Sequence, residues 1–188
     1  MSLPPRVTKT HATGNDFVVY LDKSGKFEPT ADEVRFLCDR PFGIGGDGLI
    51  RLTRPDFVSD LSDDQLSDVL AGGAKWFMDY RNADGSLAEM CGNGTRAITL
   101  FAQREGVADA TDPFRHGTRT GVKFLTQRGN MRPYGASVFQ VDMGEWKFGE
   151  TDAYEVTIPG TEGSARGTFV DMGNPHVVAV IEDAFASL

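Results

Sequence analysis

An amphipathic helix near the middle of the sequence separates two stretches that are patterned mainly as short β-strands. It is predicted from Asn93 to Glu105, because apolar residues such as Ile98 and Phe101 recur on one face and Gly106 can end the helix. Strand patterns occupy residues 7–10, 16–21, 48–53, 75–81, 122–127, 137–141, 154–158, 167–171 and 176–181. Because these strands do not alternate regularly with helices, the sequence predicts an α+β fold rather than a parallel βαβ sheet.

A second helix and a domain boundary complete the organisation. Thr30 and Glu33 form a capping-box pattern, which predicts a helix that continues to Cys38. Residues 108–121 combine Asp, Thr, Pro, Arg and Gly, a composition typical of a linker. We therefore predict two domains, 1–115 and 116–188, and expect His116, which lies in the linker, to be solvated.

Charge and composition exclude several classes of function. The 188 residues carry a net charge of −8 and are 40% hydrophobic, which allows a packed core and argues against a nucleic-acid partner. The absence of an 18-residue apolar run and of a signal-peptide pattern predicts a cytoplasmic protein without a membrane contact. Two cysteines do not form a disulfide framework. Five aspartates and no Lys or Arg lie between Pro55 and Ala74, which we interpret as a solvated surface insertion rather than a metal site.

Cys91 lies immediately before the central helix, within the run Asn-Ala-Asp-Gly-Ser-Leu-Ala-Glu-Met-Cys-Gly-Asn-Gly-Thr-Arg at residues 82–96. The first N–H groups of a helix have no internal acceptor, and the helix dipole places partial positive charge there. A thiol at such a position ionises more readily than a free cysteine. Gly92 and Gly94 carry no Cβ and let a ligand approach the backbone. A reactive thiol and an anion site are therefore predicted at the same place.

Other motifs are better explained by structure than by catalysis. Residues 43–48 match the glycine pattern of dinucleotide-binding folds, but a helix precedes them and a strand follows, so we predict a turn that binds no nucleotide. Cys38 falls on the apolar face of its helix, which favours a structural role. Cys91 and the three histidines lack the spacing of a metal site: His11, His116 and His176. A single histidine such as His176 more often has a structural role.

Four ordered motifs carry a resemblance to a known family. They are Thr-Gly-Asn-Asp-Phe at 13–17, Cys-Asp-Arg-Pro-Phe-Gly-Ile-Gly-Gly-Asp-Gly at 38–48, the run at 82–96, and Gly-Asn-Pro-His at 173–176. With these motifs the chain resembles the diaminopimelate epimerases, cofactor-independent amino-acid isomerases of lysine and peptidoglycan biosynthesis, over nearly its whole length. The resemblance implies two similar domains, each a curved mixed β-sheet around a central helix, with the active site in the cleft between them.

The resemblance also implies a reaction and a set of site residues. The reaction is inversion of one α-carbon of LL-diaminopimelate to give the meso isomer, without cofactor or metal, by two cysteines that act as acid and base. Cys91 would be one of the pair, and His176 would lie near the thiols. Amide groups would hold the zwitterionic substrate: Asn15, Asn82, Gly92, Asn93 and Asn174. The expected partner is a small-molecule amino acid, and the chain could form a homodimer.

Other functions stay open on the sequence. The second cysteine of the family pair has no counterpart before Leu188, so we expect an incomplete second domain and a chain that does not invert the substrate by itself. A non-catalytic amino-acid-binding role is then one alternative. A proline or hydroxyproline racemase-like enzyme uses the same two-thiol chemistry, although Asn-Ala-Asp-Gly ahead of the cysteine favours diaminopimelate. A Cys–His thiol hydrolase built on Cys91 and His176 lacks an apparent third orienting group.

Overall fold

The computed structural model describes residues 3–135, 137–157, 163–172 and 175–180, and the chain divides into two compact units, Met1–Asp142 and Met143–Leu188. The first unit contains β1 (Thr8–Ala12), β2 (Asn15–Asp22), α1 (Ala31–Cys38), β3 (Gly48–Thr53), a short 3-10 helix (Pro55–Phe57), α2 (Asp63–Ala71), β4 (Trp76–Asn82), α3 (Gly92–Arg104), β5 (Phe114–Thr118), β6 (Gly121–Gln127) and β7 (Phe139–Asp142). The second unit contains β8 (Lys147–Phe148), β9 (Tyr154–Thr157), β10 (Ser164–Asp171) and β11 (Pro175–Ala179).

The strands of the first unit form one mixed sheet in the order β1-β2-β3-β4-β5-β6-β7. β2 pairs with β3, and β4 with β5, in parallel, whereas the other neighbours are antiparallel. The sheet curves around α3, which contacts β1, β2, β3, β4, β6 and β7. Because side chains alternate along a strand, every second residue faces this helix and forms the main core: Phe17, Val19, Ile50, Leu52, Met78 and Tyr80 pack with Ala97, Ile98 and Phe101.

The opposite face of the sheet is covered by α1 and α2. Val34, Leu37 and Cys38 of α1 form one apolar cluster with the sheet, and Val69 of α2 belongs to another. α1 begins at the predicted capping box, in which Glu33 N–H donates to Thr30 Oγ1 at 3.3 Å and Thr30 N–H donates to Glu33 Oε2 at 3.0 Å. The outer helices therefore dock through single apolar faces, while α3 is the helix around which the sheet is built.

The same outer face also carries a buried ion network. Arg51 is fully buried, and its guanidinium lies 3.0 Å from Asp22 Oδ2 and 3.5 Å from Asp79 Oδ2. Arg119 NH2 lies 2.8 Å from Asp79 Oδ1 and 2.6 Å from Asp60 Oδ1. Buried charges are costly unless they are paired and hydrogen-bonded. The network therefore ties the central strands to the acidic segment that contains α2.

The described part of the second unit is a small antiparallel sheet. β10 pairs with β11 along one edge and with β8 and β9 along the other. No helix occurs among the described residues of this unit, so its predicted central helix stays a prediction. In the described ranges of the whole chain, no helix is long and apolar enough to cross a membrane.

The predicted α+β fold is confirmed, and the predicted strands and helices of the first unit recur closely, but three features differ. The compact units divide after Asp142 rather than after residue 115, because β5, β6 and β7 continue the sheet of the first unit. The predicted linker contains β5, and His116 is completely buried there rather than solvated. The acidic segment contains α2, and its Asp60 is paired with Arg81 and Arg119 rather than solvated.

Candidate active site

Cys91 is the N-cap of α3 and immediately precedes its first residue, Gly92, so the predicted position of the thiol ahead of the helix is confirmed. Its backbone is extended (φ −142°, ψ 118°), its carbonyl accepts the Thr95 N–H at 2.9 Å, and its Sγ accepts the Gly94 N–H at 3.4 Å. The thiol is half-buried. An N–H group that donates to sulfur stabilises negative charge on that atom, and the positive end of the helix dipole acts in the same direction. Local structure at Cys91 therefore favours reactivity.

The glycines beside Asn93 shape the first turn of α3. A Cβ on Gly94 would lie 3.2 Å from Ile50 Cδ1 and 3.4 Å from Cys91 Cβ, so this turn packs closely against β3. The N–H groups of Gly92 and Asn93, in the first turn, have no acceptor within the helix. Such N–H groups bind carboxylate and phosphate groups. These N–H groups lie next to the thiol, where the anion site is predicted.

The side-chain amide of Asn15 lies against the thiol, and the amide of Asn93 lies against Asn15. Asn15 Oδ1 is 3.5 Å from Cys91 Sγ and 3.3 Å from Asn93 Nδ2, and it accepts a hydrogen bond from each. Asn93 Oδ1 in turn accepts from Thr13 Oγ1 at 3.0 Å and from the Arg96 guanidinium, which also donates to Thr13 Oγ1 at 3.1 Å. The turn between β1 and β2 and the first turn of α3 therefore meet at Cys91.

A group of charged side chains lies on the other side of Asn15. Asn15 Nδ2 donates to Asp47 Oδ2 at 2.7 Å, and Arg40 NH2 lies 2.9 Å from both Asp47 Oδ1 and Asp16 Oδ1. Lys9 Nζ is 2.7 Å from Asp16 Oδ2. The Arg40 guanidinium and the Lys9 ammonium hold the pKa of Asp16 well below its usual range. Asn15 thus bridges the thiol and a cluster of fixed charges.

Comparison with known proteins relates this arrangement to one family. The family model described as Diaminopimelate epimerase matches residues 7–148. The chain is 38% identical over 188 residues to the diaminopimelate epimerase of Corynebacterium glutamicum (strain ATCC 13032) and 37% identical over 176 residues to that of Thermobifida fusca (strain YX). The chain belongs to the diaminopimelate epimerase family. These alignments cover 100% and 92% of the chain but 62% and 58% of the two relatives, so the chain spans about three fifths of their length.

Solved structures agree with this membership at the level of the fold. A Bacillus anthracis phenazine biosynthesis protein of the PhzF family matches with a TM-score of 0.60 at 15% identity, over 94% of this chain and 55% of that chain. A probable proline racemase from Agrobacterium radiobacter K84 matches with a TM-score of 0.57 at 15% identity, over 87% of this chain and 48% of that chain. At this identity the likeness shows the fold alone, and it is the fold predicted for the diaminopimelate epimerase family.

Asn82 lies at the end of β4, in the turn that leads to Cys91. Its Nδ2 donates to Ser86 Oγ at 3.0 Å, and its N–H donates to the Ser86 carbonyl at 3.0 Å. In the described part of the chain these bonds close the turn, whereas Asn15 contacts the thiol and Asn93 contacts Asn15. The role of Asn82 toward a substrate stays a prediction.

The histidines occupy three different environments. His176 is exposed on β11 of the second unit, and Asn174 lies outside the described residues, so the roles of both stay predictions. His11 is exposed on β1 and lines a shallow cleft of about 490 Å³ together with the charged cluster. His116 is buried; burial, with the nearby Lys123 cation adding to it, lowers its pKa from 6.5 to about 3. The described residues contain no group of three or more His, Cys, Asp or Glu that could hold a metal ion.

The glycine-rich segment 43–48 closes on the end of α1. The consecutive N–H groups of residues 43–46 donate to carbonyls of the last turn of α1 and of Asp39 at 3.0 to 3.1 Å. A phosphate site would need free N–H groups in such a loop. Since these are already bonded, the geometry supports the predicted turn.

Four residues of the site are not singled out by the sequence pattern: Thr13, Arg40, Asp47 and Arg96. All four lie inside the quoted motifs, and the one sequence feature that could identify them as site residues is a hydroxyl or a charge in a glycine-rich segment. That signal is weak, because charged residues in turns are usually solvated. Only the meeting of turns that are distant in the sequence identifies them.

Proposed function

We propose that the protein is an isomerase that epimerises diaminopimelate, converting the LL to the meso isomer in lysine and peptidoglycan biosynthesis, with Cys91 as an acid–base group. The observation that carries the proposal is the placement of Cys91 Sγ at the start of α3, against Asn15, in a chain of the diaminopimelate epimerase family. Since the chain spans about three fifths of its relatives, the proposal concerns the activity of the whole protein.

Carbanion stabilisation is the main chemical problem in this reaction. The α-hydrogen of an amino acid is a very weak acid, so charge that develops on the α-carboxylate must be stabilised electrostatically when no cofactor takes part. The first-turn N–H groups of Gly92 and Asn93 suit this purpose, because they lie at the positive end of α3. A carboxylate bound there would bring the α-carbon toward Cys91 Sγ.

Proton transfer then requires groups on both faces of the α-carbon. Cys91 would remove the proton as a thiolate and return one as a thiol in the reverse direction, and the family resemblance assigns the opposite face to a second cysteine. Cys38 does not fit that role, because it is only 4% exposed and burial raises its pKa to about 11. Burial likewise raises the pKa of Tyr80 to about 12, so its hydroxyl is no base at neutral pH.

Amide groups near the thiol suit a zwitterionic substrate. In the bonds described above, the Nδ2 groups of Asn15 and Asn93 each use one of their two N–H donors, so each can donate the other to a substrate carboxylate, of which diaminopimelate carries two. We include Asn82, Asn174 and His176 in the proposed site on the family resemblance. The predicted second domain, cytoplasmic location and homodimer belong to the same proposal.

Deuterium exchange at the α-carbon tests the substrate and the reaction together. LL-diaminopimelate is incubated with the protein in D₂O, and NMR follows α-deuterium incorporation and the ratio of LL to meso isomer. We expect incorporation into diaminopimelate and none into L-proline or 4-hydroxyproline under the same conditions. Exchange into proline instead would favour the racemase-like alternative. Saturable binding of diaminopimelate without any exchange would contradict the proposal and favour a non-catalytic amino-acid-binding protein.

A further inference from the structure

We propose that Asp47 is a positioning residue. Asp47 and Arg96 lie at the two ends of a hydrogen-bond chain that passes through the side chains of Asn15 and Asn93. Together they fix the orientation of these two amides so that the oxygen of Asn15, and not its NH2 group, faces Cys91. The inference rests on the proposed function only where it assigns the Cys91 thiol a part in catalysis. Its structural content can be tested on the thiol itself, without a substrate.

The orientation follows from the chemistry at the two ends of the hydrogen-bond chain. A guanidinium only donates, so Arg96 requires Asn93 to present its Oδ1, which turns Asn93 Nδ2 toward Asn15. A carboxylate only accepts, so Asp47 requires Asn15 to present its Nδ2, at 2.7 Å, which turns Asn15 Oδ1 toward Asn93 and Cys91. Both ends demand the same polarity, so neither amide can turn over without breaking a charge-assisted bond.

Asp47 is itself held in place. Its Oδ1 lies 2.9 Å from Arg40 NH2, and its Oδ2 accepts the backbone N–H of Asp16 at 3.1 Å in addition to the Asn15 amide. Its own N–H donates to the Asp16 carbonyl at 2.8 Å. These contacts restrict the orientation of the Asp47 carboxylate, and the carboxylate in turn restricts the orientation of the Asn15 amide that donates to it.

The consequence for Cys91 is a balance between two opposing contacts. Gly94 N–H donates to Sγ and favours the thiolate, whereas Asn15 Oδ1, at 3.5 Å, accepts from the S–H and favours the thiol. If the Asn15 amide turned over, its NH2 group would face Sγ and both contacts would favour the thiolate. An acid–base group that passes a proton in both directions needs both forms near the working pH. Asp47 thus keeps an accepting oxygen, rather than a donating NH2 group, against the Cys91 thiol.

Alkylation of Cys91 across a range of pH tests this role, with iodoacetamide as the probe and peptide mass mapping as the readout. Asp47→Ala frees the Asn15 amide, so we expect the alkylation profile to move to lower pH and the rate at neutral pH to rise about tenfold, the size of one hydrogen bond to a charged group. Asp47→Asn is the matched control. It removes the charge and turns its NH2 group toward Arg40, which is 60% exposed and can move to solvent, but it keeps an oxygen where two donors, Asn15 Nδ2 and Asp16 N–H, converge, so we expect a profile close to the wild type.

A double-mutant cycle shows whether Asp47 acts through Asn15. Asn15→Ala removes the accepting oxygen and should also move the profile to lower pH; this variant keeps the proposal testable if Asp47→Ala does not fold. The double variant should match Asn15→Ala. The proposal is overturned if Asn15→Ala leaves the profile unchanged, if Asp47→Asn behaves as Asp47→Ala, or if the two effects add, because Asp47 would then act by its charge alone.

The result is separable from the proposed function. A shifted profile in a protein that exchanges no α-deuterium would support the positioning role and contradict the proposed function. Normal exchange with an unshifted profile in both Asp47→Ala and Asn15→Ala would contradict the positioning role and support the function.

Discussion

Replacing Asp79 with asparagine removes the charge at the centre of the buried ion network while it keeps the shape of the side chain. Asp79 is fully buried on β4, and its carboxylate lies 2.8 Å from Arg119 NH2, 3.3 Å from Arg81 Nε and 3.5 Å from Arg51 NH1. The variant leaves these cations with less compensating charge inside the fold. Loss of one partner from a buried ion pair costs about 3–5 kcal/mol, a large share of the about 5–15 kcal/mol that stabilises a typical protein.

Urea unfolding followed by circular dichroism measures this change in the free energy of unfolding. Asp56→Asn is the matched control, since Asp56 pairs with Arg54 at 3.0 Å on the surface, where the two side chains are 42% and 57% exposed. An exposed pair contributes about 0–1 kcal/mol, so the control should remain close to the wild type. A loss of less than about 1 kcal/mol in Asp79→Asn would show that the buried network is not essential to stability, and would refute the reasoning.

Three further predictions concern a thiol, a histidine and a turn. Iodoacetamide should alkylate Cys91 well before Cys38, because burial raises the pKa of Cys38 to about 11; preferential labelling of Cys38 in the folded protein would contradict this. The folded state keeps His116 neutral from pH 6.5 down to about 3, so it binds fewer protons than the unfolded state and loses stability as the pH falls through that window. The free energy of unfolding, measured by urea at a series of pH values, should fall by about 1.4 kcal/mol per pH unit within this window, and by less in His116→Phe. An equal pH dependence in the wild type and in His116→Phe would contradict the reasoning. Calorimetry should detect no binding of NAD, NADP or ATP at the turn of residues 43–48, and micromolar affinity for any of them would contradict the turn interpretation.

Local signals in the sequence are sufficient for most elements of the first unit. The capping box at Thr30 and the apolar face that ends before Gly106 each act within a few residues, so the pattern locates both helices. β5 and α2 have weaker signals. β5 carries His116 in a segment composed like a linker, and its burial depends on packing against Phe114 and on strand partners elsewhere in the chain. α2 buries only Val69 among its residues, which leaves little apolar periodicity to recognise.

The candidate site also contains residues that the sequence identifies and residues that only the structure identifies. Cys91 and Asn93 lie in a glycine-rich segment at the start of α3, and Asn15 follows the glycine-containing turn after β1, so the motifs of the sequence are sufficient to identify all three as candidates. Asp47 and Arg96 do not stand out, because their importance arises only where the turn after β1, the turn before β3 and the start of α3 come together. Local patterns therefore identify the reactive group, whereas the residues that orient it depend on tertiary contacts.

The central claim is that the Cys91 thiol carries the proton of the substrate α-carbon, and α-deuterium exchange into LL- and meso-diaminopimelate by matched cysteine variants tests it most directly. Exchange needs only one base, and the LL and meso isomers are both measured so that one of them presents its α-hydrogen to Cys91 whichever face the thiol occupies. Cys91→Ala should reduce the exchange rate by about 10²–10⁴ with the fold preserved, the usual cost of losing an acid–base group, whereas Cys38→Ala, which removes a buried thiol, should retain it. Exchange at the wild-type rate in Cys91→Ala, or its loss in a folded Cys38→Ala, would contradict the account.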